Sequence, residues 1–167
     1  MTRTCAILAL VLINAIWPSA GLAQSRVVAV ALGPDGAAQL TLGDGRRTTI
    51  PREPGQVGIG DARIASDGTV GWLAEFRVES INYPIAGALI IWRAGKIIRR
   101  FQTAQAFYSW TFYAHGKQVA YHDGPLHGER LSHCELHDVV SGRTLAVWDG
   151  DLRSGRDRPV WTEGLPR

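Results

Sequence analysis

The chain reads as an all-β protein built of antiparallel, four-stranded, repeat-like units, with a small β-barrel or β-sandwich as the alternative architecture. Three observations predict this class. Glycine and proline, 19 and 8 of the 167 residues, cut the chain into short segments with no long helical periodicity. Those segments are rich in Val, Ile, Trp, Tyr and Phe, the residues that suit a pleated, half-buried surface. The breaks between them have hairpin chemistry, because glycine supplies the positive φ that tight turns demand.

The elements follow in order. Arg26–Leu32 and Ala38–Leu42 are strands joined through Asp35-Gly36, and Asp44-Gly45 turns the chain into Arg46–Ile50. Ala62–Ala65 and Val70–Val78 flank Asp67-Gly68. Ala86–Arg93 and Lys96–Phe101 are separated by the Ala94-Gly95 break. Tyr108–Tyr113 and Gln118–His122 flank His115-Gly116, and Leu131–Val139 and Arg143–Trp148 flank Ser141-Gly142. Residues 152–167 form a polar tail with two prolines, expected to be loosely ordered unless Val160 and Trp161 dock.

The segments also echo one another. Ala62–Trp72, with its Ser66-Asp67-Gly68 turn, aligns with Trp110–Tyr121 and its His115-Gly116 turn. Ala88–Lys96 aligns with Cys134–Arg143, and the offset stays at about 46 to 49 residues. A fainter copy runs from Val27 through Asp35-Gly36 to Arg46. A period of about 40–50 residues carrying four strands is the sign of propeller blades. The phrases Ser66-Asp67-Gly68 with Val70-Gly71-Trp72, and Leu136-His137-Asp138 with Ser141-Gly142-Arg143, resemble the repeats of WD40-like, TolB-type β-propellers. That resemblance spans about Val57 to Asp149. It implies a binding or scaffolding role and transfers no catalytic residue. It covers two to three units where closed propellers have four to eight, so a partial ring completed by self-association is one expectation.

Residues 1–23 read as a secretory signal peptide. Arg3 opens a short basic start, Cys5 to Trp17 is apolar apart from Asn14, and Pro18 to Ala23 is a small-residue exit. Cleavage between Ala23 and Gln24 would leave residues 24–151 as the all-β domain followed by the tail, in a periplasmic or secreted protein. The apolar run is shorter than the roughly 20 residues that span a bilayer, and no later segment rivals it. Formal charge is +3, falling to about +2 without Arg3, too balanced to predict nucleic-acid binding. Cleavage removes Cys5 and leaves Cys134 alone, so no intrachain disulfide is expected. A lone thiol in an apolar strand reads as a small buried hydrophobe.

Two constellations could carry function. The first is the polar run His122–Asp138. Strand alternation puts Val119 and Tyr121 on a core face and His122 on the other. It likewise puts Cys134 and Leu136 inward and His133, Glu135 and His137 outward. An antiparallel hairpin would then make His122 and His133 same-face diagonal neighbours. With Glu135 or His127 they would offer a zinc or copper set, imidazole being the common ligand of both. His133 and His137 stand about 13 Å apart along a strand, too far to share one ion. The plainer reading is a solvated, histidine-rich face. The second constellation is aromatic. Tyr108, Trp110 and Phe112 alternate onto one strand face, Phe107 and Tyr113 onto the other, and Trp72 and Trp92 occupy comparable places in the neighbouring unit. Such a strand is either buried on both faces or part of a surface (Tyr108, Trp110, Tyr113, Trp72, Trp92) for a protein or glycan partner.

Other chemistries lack their signatures. Asp149–Asp157 alternates acids like a calcium loop, but Arg153 and Val160 stand where ligands belong. There is no Gly-x-Ser-x-Gly elbow and no phosphate-cradling loop. The sequence therefore points to a non-catalytic binding or scaffolding module of the cell envelope that needs no cofactor. A metal-assisted hydrolase using the His122–His137 region is the alternative.

Overall fold

A computed structural model of the chain describes residues 26–33, 35–126, 132–152 and 157–165. The leader proposed for residues 1–23 lies outside them, as do His127 and Leu131. Among the described residues, eleven strands form three antiparallel meanders, none closed into a barrel. The first sheet is β1 (Val27–Leu32), β2 (Ala38–Leu42) and β3 (Arg47–Ile50). The second is β4 (Gln56–Ile64), β5 (Val70–Phe76), β6 (Ile85–Arg93) and β7 (Lys96–Gln102). The third is β8 (Ala106–Tyr113), β9 (Gln118–Gly124), β10 (Ser132–Asp138) and β11 (Thr144–Gly150). The all-β class and the four-stranded units are thus as the sequence predicts, except that the first unit has three strands.

The largest departure in extent is β4, which begins at Gln56 and not Ala62. Its first half is hidden from a propensity reading by Gly58 and Gly60. These glycines lie beneath the side chain of Glu75 on β5: added methyl groups would fall 2.6 and 2.7 Å from its carboxylate oxygens. Two register shifts against β5 bend the strand on either side of them.

The sheets stack face to face, and alternation along the second sheet feeds two cores. Val70, Trp72, Ala74, Ile90 and Trp92 pack toward Val27, Leu40 and Ile50 of the first sheet. Leu73, Leu89 and Ile91 point the opposite way, into Phe107, Trp110, Val119 and Tyr121 of the third. The outer face of the third sheet is covered by the chain's end. There Leu152 and Leu165 are buried against Ala120, Cys134 and Leu136, with Trp161 packed beside them. Arg158 donates to the carbonyls of Thr162, Leu165 and Leu152, cinching this segment. Tyr113 Oη donates to Val160 O and accepts from Gly164 N. Trp161 therefore docks as the sequence allowed, whereas Val160 stays 74% exposed.

A β-bulge between Phe107 and Ser109 corrects the aromatic alternation expected for β8. The extra residue turns Tyr108 outward and brings Phe107 onto the face of Trp110, both inside the core between the second and third sheets. Trp72, Trp92 and Trp110 are core side chains at 2%, 5% and 0% exposure. They form no exposed aromatic surface, because each lies between stacked sheets. Of the five aromatic candidates only Tyr108 is solvent-facing; it packs on His122, 5.2 Å between ring centres, and donates to Pro125 O.

Candidate functional site

Register decides what the histidine cluster can do. On β9 and β10, Tyr121 pairs with Glu135, His122 with Cys134, and Asp123 with His133. Directly paired residues share a face, so His122 and His133 lie on opposite faces of the third sheet. This corrects the same-face arrangement expected from sequence. That expectation took Val119/Tyr121 and Cys134/Leu136 as one core face, but the third sheet has a core on each side. Among the described residues no group of three His, Cys, Asp or Glu is arranged to hold a metal ion.

His133, Glu135 and His137 instead form a chain of hydrogen bonds on the face of Tyr121. His133 Nδ1 lies 2.6 Å from Asp149 Oδ1, and its Nε2 lies 2.9 Å from Glu135 Oε1. Both ring nitrogens face carboxylate acceptors, so the doubly protonated imidazolium fits best. Glu135 Oε2 accepts from the Tyr121 hydroxyl at 3.0 Å and sits 2.6 Å from His137 Nε2. His137 is 5% exposed and stacks on Tyr121, with Phe101 of the second sheet 4.8 Å away. This is a partly buried polar network set into an aromatic core, not a solvated outer face.

The electrostatics follow from these bonds. Burial works to raise the Glu135 carboxyl, but its bonds with His133, Tyr121 and His137 outweigh it and hold the group below its ordinary value. Burial works to lower His133, but the bonds to Asp149 and Glu135 prevail and raise it. Burial first, then the neighbouring Glu135 charge, pushes the Tyr121 phenol up. His122, on the other face, is lowered chiefly by burial. Burial pushes the Cys134 thiol up to about 12, leaving it an inert core residue.

A second arrangement was not singled out from sequence. At one end of the seam between the second and third sheets lies a pocket of about 320 Å³. Arg63, Ile64, Ala65 and Ser66 line it from the second sheet, and Thr111, Phe112, His115 and Gly116 from the third. The β4–β5 turn and the tight 3-10 turn after β8 meet here: Ser66 Oγ is 3.0 Å from His115 Nδ1. Ala114, His115 and Gly116 all have positive φ, at 46°, 58° and 90°. For Ala114 and His115 that conformation costs roughly 1–2 kcal/mol each. Gly116 is required by contact as well: a Cβ there would fall 2.4 Å from Asp67 Oδ1 and 2.8 Å from Ala65 Cβ. Arg93 ties the two turns together, donating from Nη2 to Asp67 Oδ2 at 2.7 Å and to Gly116 O at 2.9 Å. Arg63 reaches Asp61 through Nε and Nη2, both at 3.0 Å, and lies over the Trp110 ring. The sequence carried one signal of this site, the alignment of Asp67-Gly68 with His115-Gly116, but not the fact that the aligned turns touch.

No protein-family model matches the chain, and no curated protein or solved structure matches it either. No helix among the described residues is long and apolar enough to cross a membrane.

Proposed function

We propose that this chain is a non-catalytic binding module of the cell envelope, acting outside the cytoplasm after loss of residues 1–23. Its binding site is the pocket at the turn end of the seam between the second and third sheets. The observation that carries this reading is that pocket itself. Two turns, one of them strained, are locked together by Ser66–His115 and by Arg93, leaving polar and apolar side chains converging on open space. Concave sites with a few fixed polar groups on an apolar floor are the usual form of a small-ligand site. The carboxylate and imidazoles of the His133–His137 region are committed to a network of their own. Glu135, His133 and His137 spend their hydrogen-bonding capacity on one another and on Asp149, Tyr121 and Gly142. The resemblance to WD40-like repeats belongs to the same reading, supported by successive meanders stacked face to face.

The test is an NMR screen of the labelled mature protein against a set of small sugars, aromatic amides and acids. Shifts concentrated at residues 63–66 and 111–116 are expected. Shifts concentrated at residues 132–138, or turnover of ester or phosphate substrates that is lost in His133→Ala, would favour the metal-assisted hydrolase instead.

A further inference from the structure

We propose that the seam pocket takes a small amphipathic monoanion, a carboxylate carried on an apolar body. This rests on the pocket being the binding site, and it adds the chemical class of the ligand. The lining supplies the argument. It holds no carboxylate, one guanidinium (Arg63), one imidazole (His115), the hydroxyls of Ser66 and Thr111, and the hydrocarbon of Ile64, Ala65 and Phe112. A lining that combines such donors with hydrocarbon suits a ligand with a charged head and an apolar body. Asp61 engages Nε and Nη2 of Arg63 and offsets part of its charge. Nη1 is the guanidinium nitrogen outside that pair, so a singly charged group fits better than a phosphate dianion.

The surroundings point the same way. The β2–β3, β4–β5, β6–β7, β8–β9 and β10–β11 turns lie at this end of the sheets. That follows from the meander order and from the contacts of Arg26 with Gly68, Arg93 with Gly116 and Arg99 with Val139. Three acids here are paired, Asp44 with Arg46, Asp61 with Arg63 and Asp67 with Arg93, while Asp138 of the β10–β11 turn accepts from Ser141 and keeps its charge. Arg26, Lys96 and Lys117 stand exposed at the same end with no salt-bridge partner among the described residues. The result is a positive field around the pocket mouth, which raises the local concentration of anions.

Isothermal titration of the mature protein with 4-phenylbutyrate and with its neutral amide tests this. The acid is expected to bind saturably, at least about tenfold more tightly than the amide. Ser66→Ala and His115→Asn are each expected to weaken the acid about three- to tenfold and leave the amide unchanged. Asparagine tolerates the left-handed backbone at position 115, and thermal melts of both variants establish that they fold. Equal affinity for acid and amide, both perturbing residues 63–66 and 111–116, would overturn the anion inference and leave the pocket as a binding site. Absence of binding by either up to about 10 mM would overturn both.

Discussion

Gly71 of β5 lies directly beneath the buried ring of Trp110 of β8. A methyl group at position 71 would fall 2.5 Å from Trp110 Cη2 and 3.1 Å from Ile91 Cδ1. The ring is fully buried and its indole N–H donates to Asp61 O at 2.8 Å, so it has no free direction in which to swing. The close approach of the second and third sheets therefore depends on one missing side chain. Gly71→Ala is expected to destabilise the protein by about 1–3 kcal/mol through overpacking. Trp110→Phe should absorb part of that cost. A double-mutant cycle by chemical denaturation should show a coupling of at least about 0.5 kcal/mol between the two sites; strict additivity would mean the ring does not rest on Gly71.

The Glu135 network makes stability depend on pH, and the two shifts have opposite signs. Glu135 is held below its ordinary 4.5, so its contribution is present above that value and is lost as pH falls through the lowered one. His133 is raised above its ordinary 6.5, so its contribution is complete below 6.5 and is lost as pH rises through the raised value. The network's stabilisation is thus largest between about pH 4.5 and 6.5. Glu135→Gln should cost about 1–3 kcal/mol, because an amide NH2 then faces groups that themselves donate. It should also flatten the pH dependence of unfolding free energy on both flanks of that window, below about pH 4.5 and above about pH 6.5. A variant that keeps the wild-type profile would place the pH dependence elsewhere.

The covered outer face of the third sheet distinguishes two apolar residues of the tail. Leu165 is 2% exposed and Val160 is 74% exposed. Leu165→Ala should lower stability by about 2–5 kcal/mol, while Val160→Ala should stay within about 0.5 kcal/mol of wild type. Thermal unfolding of the two variants measures the difference; equal melting temperatures would mean the tail does not seal this core.

The leader has its own test. Expressed with residues 1–23 in a host with a secretory pathway, the chain should yield a mature protein beginning at Gln24, read by intact mass and N-terminal sequencing. Retention of Met1 in the recovered protein would contradict the signal-peptide assignment.

Most strand positions were legible because hairpin turns announce themselves: Asp44-Gly45, Asp67-Gly68 and Ser141-Gly142 each separate the strands they were expected to separate. What the sequence concealed depends on contacts between distant residues. The start of β4 was hidden because Gly58 and Gly60 serve the Glu75 side chain, not the strand propensity of their own segment. The histidine faces were misassigned because alternation names two faces without saying that both are covered. Only the pairing of Tyr121 with Glu135 shows that His133 and His137 point toward the second sheet. The bulge at Tyr108 broke alternation where no glycine or proline announced it. Ser66 and His115 are 49 residues apart, and nothing local to either records that they meet.

The central claim is that ligands enter the turn end of the seam between the second and third sheets. Amide hydrogen exchange of the mature protein, with and without saturating 4-phenylbutyrate or its amide, tests it most directly. Slowed exchange at residues 63–66 and 111–116 with either probe is the expected result. Slowed exchange confined to residues 132–138, or none anywhere, would contradict it.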